Sequence, residues 1–260
     1  MRALWSGSIG FGLVNIPVRL FSATHDSTLD LHMLDKNGHA NIRYARINAD
    51  TGKEVPWENI VKGYKYHDEY VVLSDEDFEK VSPKKSKMIE INEFVKQGEI
   101  DTTYYDTPYY LEPTKGGEKA YVLLREALKQ SGKVAIGEYI MRTKQNLCIL
   151  MPQDDMLLLL KMRYAEEIRD YAELDIPKDI TVKPAELKMA QQLINQLTPK
   201  KFSMAQYKDT YDNDLMKIIE AKAKGRKVAT PRFKIVRNKS KDLMGQLKAS
   251  LETGTKKKAS

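Results

Sequence analysis

Met1-Arg2-Ala3-Leu4-Trp5-Ser6-Gly7-Ser8-Ile9-Gly10-Phe11-Gly12-Leu13-Val14-Asn15-Ile16-Pro17-Val18 opens the chain and decides its fold class. Gly7, Gly10, Gly12 and Pro17 punctuate short β-rich runs at 9–14 and 18–22, so the stretch predicts strands. Gly7-Ser8-Ile9-Gly10-Phe11-Gly12 is glycine-rich, but a phosphate cradle needs a strand before it and a helix after it. Neither pattern is present. The glycines read instead as places of close backbone packing or bulges between strands.

Outward from this stretch the β pattern continues. Strands are expected at 29–34 and 42–47, separated by the turn Asp35-Lys36-Asn37-Gly38, and a second turn, Asp50-Thr51-Gly52-Lys53, precedes Val55. A strand at 69–73 leads into Ser74-Asp75-Glu76-Asp77, a capping box. The short helix it starts is expected to bury Phe78 and Val81 and to stop at Pro83. In the strand 87–95, Ile89 and Ile91 share a face. The run 104–111 is aromatic with Pro108 inside it, which suggests an edge strand or extended connection. A helix over 118–129 presents Ala120, Leu123, Leu124, Ala127 and Leu128 as its core face, with Gly132 as its stop. Strands follow at 134–142, 147–151 and 156–162. The last is open to a helical reading, because Leu157 to Leu160 show no period.

After Arg169 the pattern turns helical. Pro184 opens a helix carrying Leu187, Ala190, Ile194 and Leu197 at heptad-like intervals. A second helix begins near Asp209 or Thr210, with Asp212 and Asp214 suited to its N-terminal dipole. It carries Tyr211, Leu215, Ile218 and Ile219. This apolar stripe suits packing on the body or on a partner chain. From Arg226 the chain is linker-like, except for 242–251, where Leu243, Leu247 and Leu251 fall at i, i+4 and i+8. So short a helix is unstable alone and must fold against this chain or another. The architecture is a β-rich α+β body, a helical arm and a basic tail.

Composition bounds the function. Of 260 residues, 42% are hydrophobic and 30% charged, which fits a soluble chain with much exposed surface. The one cysteine, Cys148, lies in an apolar run, which excludes a disulfide framework within one chain. The N-terminus lacks a signal-peptide layout and no apolar run approaches the ~20 residues of a membrane span, so a cytoplasmic location is expected. The net charge of +7 hints at a polyanionic partner. Its distribution is uneven: residues 222–260 carry 13 Lys and Arg against Asp242 and Glu252, whereas residues 1–221 carry 30 basic and 34 acidic side chains, a net −4. The tail is basic and the body is not.

No catalytic template, metal site or cofactor motif stands out. His25, His32, His39 and His67 occur singly, without ligand spacing. Glu166-Glu167 reads as a surface doublet and Asp154-Asp155 as a turn. A two-metal nuclease, whose carboxylates come from several strands, stays open on these residues alone. What remains is cationic. Lys36, Arg43, Arg46, Lys53, Lys62 and Lys65 fall within 36–66 against Asp50, Glu54 and Glu58. Lys84, Lys85 and Lys87 cluster by a turn, and Arg142 and Lys144 flank a connection. Such side chains give phosphate contacts without sequence readout. No helix carries a groove-reading stripe of Arg, Asn or Gln.

The opening eighteen residues also strongly resemble the N-terminus of bacterial Ku proteins. The likeness continues through Ile42-Arg43-Tyr44, Gly52-Lys53-Glu54-Val55, Tyr109-Tyr110-Leu111-Glu112-Pro113, Lys119-Ala120-Tyr121-Val122-Leu123-Leu124, Glu167-Ile168-Arg169, Lys183-Pro184-Ala185-Glu186-Leu187 and Tyr207-Lys208-Asp209-Thr210-Tyr211, in the same order. The resemblance implies a Ku-type β-barrel core with a bridge over DNA and a helical C-terminal arm, without a von Willebrand-type domain. It implies residues 1–175 as core, the stretch from about 36 to 66 as bridge, 176–225 as dimerisation arm, and 226–260 as a tail with a docking helix at about 240–252. The implied function is a non-enzymatic homodimeric ring, without cofactor or metal. It threads onto double-stranded DNA ends, protects and bridges them, and recruits a DNA ligase D-type polymerase–ligase in non-homologous end joining near the nucleoid.

By the same likeness Arg43, Arg46, Lys62, Lys65, Arg142 and Lys144 are candidates for DNA contact, and Lys36 and Lys53 join them as cations of the same basic stretch. Leu187, Ala190, Ile194, Leu197, Tyr211, Leu215 and Ile218 are candidates for dimerisation, and Leu243, Met244, Leu247 and Leu251 for ligase docking. No membrane partner is implied. The chain departs from many relatives in having Arg46-Ile47-Asn48-Ala49-Asp50-Thr51-Gly52 where they carry a Cys-rich turn.

Overall fold

A computed structural model of the chain describes residues 1–81, 87–226 and 243–257. They form two compact units, Met1–Tyr171 and Ala172–Ser260.

The first unit begins with the hairpin of β1 (Trp5–Phe11) and β2 (Val14–Ser22). Its turn lies at Gly12-Leu13, where Gly12 takes φ +57°, a conformation that glycine adopts more readily than residues with a Cβ. The break is therefore at Gly12, inside the run 9–14 expected as one strand. Pro17 is no break: β2 continues through it, and Pro17 pairs with Ser8. β3 (Lys62–Tyr66) and β4 (Glu69–Leu73) pair only with each other. After α1 (Asp75–Val81), the strands β5 (Met88–Lys96), β6 (Tyr105–Pro113), β7 (Lys133–Met141), β8 (Lys144–Gln153) and β9 (Met156–Met162) complete the sheet, with α2 (Glu118–Ser131) between β6 and β7. The seven long strands close a barrel in the order β1-β2-β6-β9-β8-β7-β5, sealed by the parallel pair β1–β5.

Alternation along the strands supplies the core. Ile9, Ile16, Val18, Leu20, Ile89, Cys148, Leu150, Leu157 and Leu159 are buried in one apolar cluster, each such aliphatic side chain stabilising the fold by ~1.5–3 kcal/mol. β9 is a strand: it pairs on one side with β6 and on the other with β8, so its unpatterned leucines are buried on both faces at Leu157, Leu158 and Leu159, with Leu160 half-buried. Gly137 on β7 permits a close approach, because a Cβ there would lie 2.3 Å from the Glu90 carbonyl oxygen of β5.

Several expectations need correction. β6 is an interior strand between β2 and β9, and a register shift between Tyr105 and Pro108 accommodates the missing proline donor. The buried face of α2 is Tyr121, Leu124 and Leu128; Leu123 and Ala127 are exposed. The rotation follows from Tyr121, whose hydroxyl bonds β6 and β9 and sets which side of the helix faces the barrel. Residues 29–34 and 42–47 are not strands. They contribute only the isolated bridges Leu34↔Asn41 and Ile47↔Glu54, since no neighbouring strand extends the ladder. Both expected turns are present. The Asp35 carboxylate accepts from the Asn37 N–H and the Asn48 side chain from the Asp50 and Thr51 N–H groups. The Ser74–Asp77 capping box forms, but Val81 is 80% exposed and Phe78 only half-buried. Pro83, Lys84 and Lys85 lie outside the described residues.

The second unit contains α3 (Pro184–Leu197), α4 (Tyr211–Ala223) and α5 (Leu243–Lys257). Pro184 sits in the first turn of α3 as its sequence position suggests. α5 packs along α3, and Gln196 Nε2 donates to the Leu251 carbonyl at 3.2 Å. The connection 227–242 and residues 258–260 of the basic tail lie outside the described residues. No helix of the described residues is long and apolar enough to cross a membrane.

Candidate nucleic-acid interface

The barrel hands the chain outward between β2 and β5. From residue 23 to 81 no residue is buried, and the excursion contains only β3, β4, α1, a short 3-10 turn and two bridged loops. It is an arm on the barrel rather than a part of it. Sheet register places its two roots. Trp5 pairs with Leu20 near the end of β2, and Ser8 pairs with Met88 at the start of β5. Ile89 pairs with Tyr139 near the end of β7, and the Trp5 indole N–H donates to the Ile140 carbonyl at 2.9 Å. The arm thus leaves and rejoins the barrel at the end where the β7–β8 turn lies.

That turn carries Arg142 and Lys144. Arg142 occupies the left-handed region at φ +64°, so a two-residue connection suffices and the side chain stays exposed. Lys144 opens β8, and its carbonyl accepts from the buried Asn146 amide at 2.8 Å. The arm carries the other six cations. Lys36 lies in the first turn and Lys53 follows the second. Arg43 is exposed on the extended stretch between them. Lys62 and Lys65 sit on β3, three residues apart and so on opposite faces, with Lys62 Nζ 4.7 Å from the Phe78 ring centre. Arg46 packs its guanidinium 4.6 Å from the centre of the Trp57 ring.

Among the described residues none of these eight cations forms an ion pair. Some cations elsewhere on the same unit are neutralised, Arg19 by Glu112 at 2.8 Å, Arg125 by Glu126 at 2.7 Å, and both Lys161 and Arg163 by Asp106, whereas others such as Lys96, Lys119 and Lys133 have no ion pair among the described residues. The Lys161 ammonium, hydrogen-bonded to Asp106, holds that carboxyl below its usual range. Unpaired, exposed cations suit phosphate binding, since they gain a partner without losing one. Trp57 did not figure in the sequence reading; its signal is an aromatic within a basic stretch, just after Val55-Pro56.

The other candidates fall in the second unit. Leu187, Ile194, Leu197 and Tyr211 are exposed, whereas Ala190, Leu215 and Ile218 are half-buried. On α5, Met244, Leu247 and Leu251 are half-buried on the helix that packs along α3; the Leu243 side chain lies outside the described ones. No group of three or more His, Cys, Asp or Glu suited to a metal ion occurs among the described residues.

Residues 10–189 match the profile of the Ku70/Ku80 beta-barrel domain. Among curated proteins, the non-homologous end joining protein Ku of Coxiella burnetii is 40% identical over 86% of this chain and 83% of its own. That of Archaeoglobus fulgidus is 41% identical over 97% and 99%, and that of Bacillus subtilis 38% identical over 97% and 82%. Among solved structures, the SPOC domain of human PHD-finger protein 3 aligns with 62% of this chain and 97% of its own at 10% identity, with a TM-score of only 0.32. With a closed seven-stranded barrel, a profile match over most of its length and collinear relatives at about 40% identity, the chain belongs to the Ku family.

Proposed function

We propose that the chain is a homodimeric DNA-end holder that encircles duplex ends, reads no sequence and performs no chemistry of its own. The observation that carries this reading is the arm over residues 23–81, which projects from one end of the barrel with no buried residue and with six exposed cations that form no ion pair among the described residues. Exposed apolar groups such as Leu31, Ile42, Tyr64 and Val72 also line it. A second copy of the chain that covers them would close two arms into a ring whose inner lining is cationic. Phosphate contacts in such a ring are blind to base sequence, and threading makes an end the only way in. The name shared by the relatives, non-homologous end joining protein, supports the placement in double-strand break repair.

In this reading residues 1–175 are the DNA-holding core and 176–225 the dimerisation arm, with Leu187, Ile194 and Leu197 of α3 and Tyr211, Leu215 and Ile218 of α4 toward the partner subunit. Residues 226–260 add non-specific attraction and dock a ligase D-type polymerase–ligase through α5. The protein works in the cytoplasm, at the nucleoid. The deciding experiment compares a closed circle with the same DNA linearised. Tight, steeply salt-dependent binding of the linear form alone is expected; equal affinity for both would refute threading. Absence of strand cleavage with Mg²⁺ or Mn²⁺ separates this function from that of a metal-dependent nuclease.

A further inference from the structure

Trp57 is 69% exposed, unusual for so large an aromatic, and sits on a hydrogen-bonded turn. It opens a 3-10 turn behind Pro56, with the Asn59 N–H bonded to the Pro56 carbonyl at 3.0 Å and the Ile60 N–H to the Trp57 carbonyl at 3.1 Å. Arg46 reaches it across the hairpin that the Val55 N–H closes onto the Arg46 carbonyl at 2.7 Å, and its guanidinium covers the ring. Tyr44, two residues before Arg46, is also exposed.

We infer that Trp57 and Arg46 form a stacking site for an unpaired base, so that the arm holds single-stranded overhangs as well as the duplex behind them. This deepens, and rests on, the end-holding reading above. Base–aromatic stacking is indifferent to base identity because every base has a π-face. The guanidinium supplies a phosphate contact beside the stacked base. A second protein surface fits the site less well. Covering Trp57 with protein would also cover Arg46, which has no carboxylate partner among the described residues, and a buried unpaired cation is expensive.

The test uses the full-length protein and a duplex closed at one end by a hairpin loop, its free end either blunt or carrying a 3′ oligo-dT tail. The tailed DNA should bind at least about fivefold tighter than the blunt DNA. Tail binding should also quench the intrinsic tryptophan fluorescence beyond the effect of blunt DNA. Trp57→Ala should abolish the affinity difference between tailed and blunt DNA. Trp57→Phe should keep the affinity difference and lose the extra quenching, which separates the signal of Trp57 from that of Trp5. Equal affinity for blunt and tailed DNA, with blunt ends still preferred over closed circles, overturns the stacking site and leaves end holding intact. A Trp57→Ala chain that loses its self-association assigns the ring to a second copy of the chain instead. If neither blunt nor tailed DNA is bound, the end-holding reading fails with it.

Discussion

The Tyr121 hydroxyl donates to the Leu111 carbonyl of β6 at 2.7 Å and accepts from the Leu157 N–H of β9 at 2.7 Å. Leu111 and Leu157 are themselves partners in the β6–β9 ladder. One helical side chain thus bonds both members of a strand pair in the buried core. It sets the rotation of α2 and stitches the helix to the barrel.

Tyr121→Phe should therefore destabilise the chain by about 2 kcal/mol, because it leaves the Leu157 N–H without that partner in a buried setting. Denaturant unfolding measures it: a lower midpoint with an unchanged slope is expected, and an unchanged midpoint would show that the helix is not held this way.

Stability should fall at alkaline pH. Burial pushes the Cys148 thiol and the Tyr139 hydroxyl well above their ordinary values of 9.0 and 10.0. The unfolded chain, with ordinary values, releases these protons first, so the stabilisation is complete below about pH 9 and is lost as pH rises beyond it. The Tyr139 hydroxyl meets no hydrogen-bond partner among the described residues. Tyr139→Phe should then keep or raise the melting temperature at neutral pH and flatten the alkaline decline. A loss above about 1 kcal/mol at pH 7 would contradict this account.

Replacing Arg43 and Arg46 together with Ala should lower affinity for linear duplex evenly across sequences. The slope of log affinity against log salt should flatten by about 2 if each side chain neutralises one phosphate. Arg142→Asn tests the barrel side, since asparagine tolerates the left-handed turn while removing the charge. Its affinity should fall with an unchanged melting temperature. Unaltered affinity in both variants would move the contact surface elsewhere.

Ile194, 62% exposed on α3, should be intolerant of charge if a partner subunit covers it. Ile194→Asp should convert a dimer to a monomer in sedimentation velocity without unfolding the barrel; a dimer that persists would point to a different interface.

Leu247→Ser with Leu251→Ser should weaken binding of a ligase D-type partner at least about tenfold while leaving end affinity within about twofold, a difference of at least ~1 kcal/mol between the two equilibria. These side chains are half-buried on the helix packed along α3, so the same variant should also loosen α5, seen as faster amide exchange in 244–251. A parallel loss of DNA affinity would overturn the docking assignment.

Much of the fold was legible because its signals are local. Ser74 with Asp77, Pro184 at a first turn and the turns at 35–38 and 50–53 each act within a few residues, and all form, although the Asn48 side chain that accepts from Asp50 and Thr51 lies before the expected second turn. The failures concern long-range partners. Tyr105–Pro113 carries a proline yet lies inside the barrel, because strand order and a register shift decide where a missing donor is harmless. Residues 29–34 and 42–47 have strand-like composition but no neighbour to complete a ladder. The amphipathic stripe near the C-terminus was evident in the sequence. That α3 covers part of it depends on a contact between helices some 50 residues apart, which no periodicity records.

The candidate site divides in the same way. Its eight cations could be picked out from composition alone, as could the excess of positive charge in the tail over a body of net −4. Charge type and local turn chemistry are properties of short segments, so the amino-acid sequence by itself determined the β-rich class, the cationic stretch within 36–66 and the helical C-terminal region. Only the tertiary structure decided that the stretch is an arm rooted at the end of the barrel bearing Arg142 and Lys144. Only the tertiary structure showed that these cations form no ion pair among the described residues while Arg19, Lys161 and Arg163 are neutralised, and that Arg46 lies on Trp57. The reason is physical: whether a charge is free depends on what barrel closure brings within a few ångströms of it, and closure joins residues as distant as Ser8 and Met88.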